Sequence, residues 1–306
     1  MRAIALAEQG STPALLQLPE PVAAEGEILV KVAASSLNGF DVALASGYLV
    51  GLMEHVYPVV IGKDFAGTVE ALGEGVEGLA VGDRVFGVLM RPVLGIGTLA
   101  EMTTVTAGFG VAKIPTDVDV AAAGALGLAG AAAIGVLDAL HLVRGQSLLV
   151  VGATGGVGSI LTQYAAQTGA RVIATAKPGA ESEFVRQHGA SDVVDPEGDL
   201  VAQVTALAPS GVDAVAHLAA DATVLLRLLT PEGRLASTLG FGADQDPAAT
   251  AIMASPDAST LDRLAADVAS GALRVPITNT LTLDQVPAAI AAFPTGTLGK
   301  LSVVID

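Results

Sequence analysis

The stretch from Leu148 to Gly158, LLVVGATGGVG, limits the possible folds of this chain more than any other part of it. It begins as an apolar, partly β-branched run, which is typical of a strand buried inside a parallel sheet. The run then changes abruptly into a glycine-rich turn, and a helical pattern follows. The stretch therefore predicts a strand, a loop and a helix in that order.

Small residues occupy the three positions of a G-x-G-x-x-G dinucleotide fingerprint, with alanine at the first: Ala153, Gly155 and Gly158. They permit a tight turn, a close approach of the backbone to a pyrophosphate, and close packing of the helix on the strand. The helix N-terminus adds free N–H groups and the positive end of the helix dipole. Because such turns also occur without a ligand, the motif alone leaves both interpretations open. The complete candidate loop is Ala153, Thr154, Gly155, Gly156, Val157 and Gly158.

Charge and cysteine content exclude several functional classes. The 306-residue chain is long enough for two domains, and its net charge is −16. A nucleic acid or an anionic membrane binds a basic face, so neither is an expected partner. The chain has no cysteine, which excludes disulfides, thiolate zinc sites and cysteine nucleophiles. Because the N-terminal segment also lacks the apolar core of a signal peptide, we expect a cytoplasmic protein.

One uncharged segment, between Asp119 and Asp138, imitates a membrane span. Alanine and glycine dominate it, and these residues favour membrane insertion far less than leucine, isoleucine and phenylalanine do. The pattern instead predicts one buried, closely packed helix. We expect it to be capped by Asp117 or Asp119 and to run to about Leu142.

Two patterns divide the chain. Residues 1–115 carry short alternating or β-branched apolar runs bounded by turn residues, which predicts a small, mostly antiparallel β-domain. Residues 116–255 alternate strand and helix patterns, which predicts a parallel sheet with right-handed crossovers. The remaining segment, residues 256–306, is expected to complete the first domain.

Several motifs in a fixed order make the chain similar to a known family. They are EGEILVKVAASSLNGFD, PVVIGKDFAGTVEALGEGV, VGDRVFG, the loop ATGGVG and the terminal GTLGK. On these motifs the whole chain resembles the zinc-free quinone oxidoreductase branch of the medium-chain dehydrogenases/reductases. The resemblance implies an α/β protein that joins a GroES-like, mostly antiparallel β-domain to a Rossmann-type parallel-sheet domain. It also implies a homodimer.

The resemblance also bears on metals. Family members with a catalytic zinc have a cysteine and a Gly-His-Glu sequence where this chain has SSLNGFD and Gly62-Lys63-Asp64. No histidine has the spacing of a metal-binding pair, and each is interpreted as an ordinary loop or helix-end residue: His55, His141, His188 and His217. We therefore expect no metal, and hydride transfer in which a nicotinamide supplies the chemistry.

Asn38 and Tyr48 are the candidate catalytic residues. By the resemblance, Asn38 matches the family asparagine that lies near the nicotinamide and the substrate; its alternative is a turn residue in SLNGFD. The Tyr48 hydroxyl can donate a hydrogen bond to a carbonyl or quinone oxygen, and packing is the alternative there. Tyr57, next to a proline, is expected to pack. The resemblance further assigns Leu239, Gly240 and Lys300 to the cofactor site.

The end of the second parallel strand predicts the choice of cofactor. An NAD enzyme has Asp or Glu there for the ribose hydroxyls, whereas this chain has Ala176 followed by Lys177. The missing acid removes repulsion towards a 2′-phosphate and the lysine attracts it, so NADPH is favoured over NADH. Glu181 and Asp195 oppose this choice, because relatives often carry Lys and Asn there. Lys177 as a merely solvated residue is the alternative.

These observations predict a metal-free, NADPH-dependent reductase of a quinone or an α,β-unsaturated carbonyl. One alternative is an enoyl-thioester reductase, although the acidic carrier protein it would meet is disfavoured by the charge of −16. Another is a sensor or interaction protein that binds NADPH and has lost catalysis.

Overall fold

The computed structural model describes all 306 residues and divides them into two compact units. One unit comprises Met1–Leu128 and Pro256–Asp306, and the other comprises Ala129–Ser255. The first boundary lies after Leu128, whereas the sequence pattern placed it after Pro115. The difference arises because a short helix between these positions packs on strands of the first unit.

Short strands build the first unit, as the alternating pattern predicted. They are β1 (Arg2–Leu6), β2 (Ala14–Gln17), β3 (Glu27–Leu37), β4 (Glu54–His55), β5 (Val59–Val60), β6 (Asp64–Leu72), β7 (Arg84–Val88), β8 (Val93–Leu94), β9 (Met102–Thr106) and β10 (Val111–Lys113), with helix α1 (Gly39–Ala45) after β3. One sheet has the order β2-β1-β5, and β4 pairs with β8. A larger sheet contains the antiparallel order β10-β7-β6-β3, and β9 also pairs with β3.

The alanine-rich segment forms two helices, α2 (Val120–Gly124) and α3 (Gly127–Leu140), where the sequence predicted one. Asp119 caps the first helix through hydrogen bonds from the N–H groups of Ala121 and Ala122. The prediction of a continuous helix was therefore wrong in the middle of the segment. No helix in the structure combines the length and the apolar character that a membrane crossing requires.

The break between α2 and α3 has a tertiary cause. A side chain at Gly124 would collide with Ala34 of β3, and one at Gly127 would approach Val88 and Asp64. The N–H group of Leu128 donates to Asp64 Oδ1 at 2.7 Å. Because the chain must lie this close to the sheet and give a donor to a buried carboxylate, one straight helix does not fit.

The second unit alternates strands and helices, which confirms the predicted parallel sheet. Its elements are β11 (Ser147–Val151), α4 (Gly156–Gln167), β12 (Arg171–Thr175), α5 (Ala180–Gln187), β13 (Asp192–Val194), α6 (Leu200–Leu207), β14 (Val212–His217), α7 (Ala222–Leu226), β15 (Leu229–Ser237) and β16 (Ala249–Ala251). The six strands are parallel in the order β13-β12-β11-β14-β15-β16. Their side chains form a fully buried core that includes Leu149, Ile173 and Val215.

The last segment belongs to the first unit. It contributes α8 (Ala258–Ala269), β17 (Ile277–Thr282), α9 (Val286–Ala292) and β18 (Lys300–Val304). Strand β18 pairs antiparallel with β3, with Leu301 opposite Leu37, and β17 pairs parallel with β18. This register brings Lys300, at the start of β18, beside the end of β3.

Candidate functional site

The glycine-rich loop lies at the carboxyl end of β11, where the strand order of the parallel sheet reverses between β11 and β14. Ligands of open α/β sheets bind in the crevice at such a point. Gly152, which follows β11, has a φ of 92° and donates its N–H to Thr175 Oγ1 at 2.9 Å. The start of the loop is thereby fixed to the neighbouring strand β12.

Two glycines in this loop meet different constraints. A Cβ at Gly158 would collide with the carbonyl oxygen of Gly152, so only glycine lets α4 pack on the end of β11. A Cβ at Gly155 would have no protein atom nearer than the Gly152 oxygen at 3.6 Å, so the space in front of Gly155 is free.

The start of α4 supplies the groups that a pyrophosphate needs. Gly155 precedes the helix in an extended conformation, and the first N–H groups of a helix have no partner within it. Ala153 is fully buried, whereas Thr154, Gly156 and Val157 are half-buried. This arrangement fits a dinucleotide whose phosphates lie against the helix N-terminus.

The second strand ends as the sequence predicted, but its lysine has a partner. Ala176 is buried and donates its N–H to the Val194 oxygen at 3.0 Å. Lys177 Nζ lies 2.6 Å from Glu197 Oε1, and this ion pair raises the pKa of Lys177. The Lys177 N–H also donates to Glu181 Oε2 at 2.9 Å. The positive charge expected to attract a 2′-phosphate is thus paired with Glu197, and Glu181 holds only the backbone; the ion pair is exposed and therefore weak.

Leu239 and Gly240 lie in the loop after β15. Leu239 is 57% exposed and donates its N–H to Ser237 Oγ at 3.0 Å. Gly240 has a φ of 78°, which a side chain rarely adopts. Both positions remain candidates for contact with a cofactor, because the loop leaves the same edge of the sheet as the glycine-rich loop.

His217 is not the ordinary loop or helix-end histidine that the sequence predicted. It is buried at the end of β14, with Nε2 3.1 Å from the Ala220 oxygen and Nδ1 2.9 Å from Ser237 Oγ. A carbonyl oxygen only accepts, so Nε2 is the donor, and in the neutral ring Nδ1 accepts from the Ser237 hydroxyl. His217 therefore ties together the ends of β14 and β15.

In the first unit, Asn38 is the centre of a buried hydrogen-bond network. Asn38 is 8% exposed and precedes α1. Its Nδ2 donates to Asp64 Oδ2 at 2.9 Å, and its Oδ1 accepts from Lys300 Nζ at 2.7 Å. Both ends of the side-chain amide are thus held, so this residue is far more than a turn former.

Lys300 and Asp64 complete the network. Lys300 Nζ donates to Asn38 Oδ1, to Asp64 Oδ2 at 3.3 Å and to the Leu37 oxygen at 3.4 Å. Asp64 Oδ2 also accepts from the Ser36 hydroxyl at 2.6 Å. All three ammonium donors of Lys300 have protein acceptors, and the side chain is 2% exposed. This favours a supporting role for Lys300 over the direct cofactor contact that the resemblance implied.

Two further charges beside Asn38 are less completely paired. Asp41 is fully buried; its Oδ2 accepts from the Asn38 N–H at 2.8 Å, and its Oδ1 has no partner. Burial raises the pKa of Asp41 to about 7. Lys63 is 7% exposed, and its Nζ lies 4.3 Å from the centre of the Phe40 ring. Burial lowers the pKa of Lys63, and the charge of Asp41 opposes that change.

Tyr48 lies outside this network. Its side chain is 72% exposed, and the structure shows no hydrogen bond from its hydroxyl. Its backbone N–H donates to the Ala43 oxygen in the turn after α1. Tyr57 is half-buried and stacks on His55, which agrees with the packing role expected for it. The structure therefore gives no support to Tyr48 as a catalytic group.

Comparison with known proteins agrees with this two-unit architecture. The model of the family "Alcohol dehydrogenase GroES-like domain" matches residues 24–116, and that of "Zinc-binding dehydrogenase" matches residues 156–259. A quinone oxidoreductase of Lama guanicoe is 31% identical over 244 residues, which are 77% of this chain and 72% of that protein. The chain belongs to the quinone oxidoreductase branch of the medium-chain dehydrogenases/reductases.

Other members of the branch carry further information. A 2-methylene-furan-3-one reductase of Solanum lycopersicum is 33% identical over 64% of this chain, and the match spans only 52% of that enzyme. A solved structure of a mycobacterial protein complexed with NADPH has 28% identity and a TM-score of 0.85, and the match covers 99% of both chains.

The zinc in the name of the second family does not fit the residues of this chain. Lys63 presents an ammonium group, which repels a cation. Asp64 uses both carboxylate oxygens for hydrogen bonds within the unit, Oδ1 to the Leu128 N–H and Oδ2 to Ser36, Asn38 and Lys300. No three His, Cys, Asp or Glu side chains of the chain lie close enough to form a metal site.

Sequence reasoning missed Asp41, Lys63 and His217. Each is a polar or charged residue in a locally apolar or helical pattern, for which exposure is the default expectation. The signal was present for Lys63, which lies between the apolar run PVVIG and the buried DFAG of β6. For Asp41 no local pattern indicated burial.

Proposed function

We propose that this protein is a metal-free, NADPH-dependent reductase that transfers a hydride to a quinone or an α,β-unsaturated carbonyl. The observation that carries the proposal is the loop 152–158, with its free space at Gly155, at the switch point of a parallel sheet. NADPH supplies the hydride when it is bound. The chain's own residues bind and orient the cofactor and provide a polar environment for the acceptor.

NADPH is the proposed cofactor because the position after β12 that carries an acid in an NAD enzyme carries none here. Ala176 has no charge, and the Lys177 ammonium follows it. Glu197 competes for this ammonium, but an exposed ion pair exchanges partners at little cost. The NADPH complex of the mycobacterial structure supports the same choice.

The proposed acceptors share one electronic property. Reduction of a quinone or of a C=C bond conjugated to a carbonyl places developing negative charge on an oxygen, and buried cations stabilise such a charge. The first unit contains two buried lysines: Lys300 in the network around Asn38, and Lys63 against the Phe40 ring. The names of two relatives, the quinone oxidoreductase of Lama guanicoe and the 2-methylene-furan-3-one reductase of Solanum lycopersicum, support these acceptor classes.

The proposal is tested by following NADPH absorbance with 1,4-benzoquinone, pent-1-en-3-one and an enoyl thioester as acceptors. We expect turnover with the quinone or the enone, and a lower Kd for NADPH than for NADH in a fluorescence titration. Turnover with the thioester alone would support the enoyl-thioester reductase instead. Tight NADPH binding without turnover of any acceptor would support a catalytically silent NADPH-binding protein.

A further inference from the structure

Lys63 carries a positive charge that no acceptor in the chain contacts. The side chain is 7% exposed and makes neither a hydrogen bond nor an ion pair, and the Phe40 ring 4.3 Å away is its close neighbour. Lys300, in the same region, uses all three donors. The Lys63 Nζ atom is not sealed from solvent, so an acceptor from outside the chain can reach this ammonium group and accept a hydrogen bond from it.

Asp41, which follows Phe40 in α1, provides a second incompletely paired group. Its Oδ1 is sealed from solvent without a partner, whereas Oδ2 is held by the Asn38 N–H. The groups that act electrostatically on Asp41 are Asp64, Lys300 and Lys63, and the group that acts on Lys63 is Asp41. Because the Asp41 charge favours the protonated form of Lys63, it counteracts the effect of burial on that lysine.

We propose that Lys63 is a catalytic residue that donates a hydrogen bond to the carbonyl oxygen of the acceptor, and that Asp41 is a positioning residue that keeps Lys63 charged. This inference rests on the proposed function and adds to it the group that replaces a Lewis acid. The acceptor class is a neutral carbonyl compound whose oxygen becomes an anion during reduction.

Hydride transfer to an enone produces an enolate. A hydride forms a C–H bond at the β-carbon, the C=C π bond breaks, and its electron pair moves to the carbonyl oxygen as an enolate. Lys63 stabilises that oxygen through an N–H group without giving up its proton. A proton from water then adds to the α-carbon and restores the C=O bond. The substrate gains one hydride and one proton; the hydride would come from the C4–H bond of bound NADPH, which would leave NADP⁺.

The first test compares Lys63→Met with Lys31→Met, which removes an exposed lysine from β3 of the same unit. Loss of one oxyanion donor typically lowers turnover by about 100-fold to 1,000-fold, so we expect that loss in kcat/KM for Lys63→Met and none for Lys31→Met. Lys63→Gln retains an uncharged donor and should lie between. NADPH titration and thermal unfolding check that each variant binds cofactor and folds.

The second test measures oxyanion binding without turnover. The protein with NADP⁺ is titrated with 4-nitrophenol, whose phenolate form has its own absorption band. We expect wild-type protein and Lys31→Met to bind the phenolate, and Lys63→Met to bind it at least about tenfold more weakly, since a charge-assisted hydrogen bond is lost. Equal phenolate binding by all three proteins would overturn the role of Lys63.

The role of Asp41 is tested through the pH profile. Deprotonation of Lys63 at high pH should produce an alkaline limb in kcat/KM of the wild-type protein. Asp41→Asn removes the charge that favours the ammonium, so the limb should move to lower pH by roughly one unit. A merely structural Asp41 would leave the limb in place.

The outcomes separate the two proposals. Wild-type protein that reduces the enone while Lys63→Met reduces it within about twofold contradicts the inference and leaves the proposed function intact, because a lost oxyanion donor costs far more. Wild-type protein that binds NADPH and reduces no acceptor contradicts the proposed function. Phenolate binding then still decides whether Lys63 binds an oxyanion.

Discussion

At the scale of single residues, the first unit contains two kinds of buried lysine. Lys300 is paired with Asp64 and fully hydrogen-bonded, so it supports the end of β3 and fixes the amide of Asn38. Lys63 has only an aromatic ring and a more distant carboxylate. Removing one partner of a fully hydrogen-bonded buried pair, such as Lys300 with Asp64, mainly lowers the stability of the fold. Removing Lys63, which has no acceptor in the chain, should mainly weaken the binding of a ligand that accepts from it.

The raised pKa of Asp41 leads to a prediction about how the stability of the protein depends on pH. Because burial raises its pKa to about 7, the folded protein binds this proton more tightly than the unfolded chain does. The contribution of this bound proton to the free energy of unfolding is complete below about pH 4. It is lost as the pH rises through 7, and the loss is at most about 4 kcal/mol. Asp41→Asn should therefore gain stability relative to wild type between pH 5 and pH 8.

Urea unfolding followed by circular dichroism at pH 5 and at pH 8 measures the difference in stability between Asp41→Asn and wild type. The exposed Asp117→Asn is the matched control and should follow wild type at both. Carboxyls with lowered pKa, such as Asp83 and Glu101, act in the opposite direction in all three proteins, so they cancel in the comparison. A constant difference between Asp41→Asn and wild type would show that Asp41 is charged throughout.

The ion pair between Lys177 and Glu197 leads to a prediction about the choice between NADPH and NADH. Glu197→Gln removes the competing carboxylate, so the NADPH Kd should fall by roughly two- to fivefold while the NADH Kd stays unchanged, as expected for an exposed pair. Lys177→Ala should weaken NADPH more than NADH. Asp192→Asn, which disrupts the exposed pair with Arg171, is the control. Equal effects on both cofactors would remove Lys177 from the phosphate site.

At the scale of elements, the loop between β11 and α4 predicts different outcomes for two glycines. Gly158→Ala forces a Cβ against the Gly152 oxygen and should destabilise the protein by about 1–3 kcal/mol. Gly155→Ala has room in the protein, so its melting temperature should stay close to wild type. Its methyl group enters the space proposed for the pyrophosphate, however, and we expect NADPH affinity to fall about tenfold or more.

Calorimetry and NADPH titration of both variants check this pair. Normal NADPH binding by Gly155→Ala would place the pyrophosphate elsewhere. Loss of folding in Gly155→Ala would instead show that the loop tolerates no side chain there for structural reasons.

The elements also show what could be predicted from the sequence. The strand, the loop and α4 follow local rules of apolar pattern and glycine geometry, so the sequence predicted them correctly. The break between α2 and α3 depends on Ala34 and Asp64, which are distant in the chain. No local pattern contains that information.

At the scale of the whole molecule, the fold class and the family were predictable because several motifs occur in a fixed order. The details of the candidate site were less so. Asn38 was identified by resemblance, but its partners Asp64 and Lys300 come from β6 and from a strand more than 200 residues later in the chain. Tyr48 was selected because it has a suitable hydroxyl; it is 72% exposed, and its role stays a prediction.

The most direct test of the central claim uses NADPH deuterated at both C4 positions, with pent-1-en-3-one as acceptor. The product is analysed by mass spectrometry and by NMR. We expect a saturated ketone that carries one deuterium, on the former β-carbon. A product without deuterium, or no product from protein that binds NADPH, would contradict it.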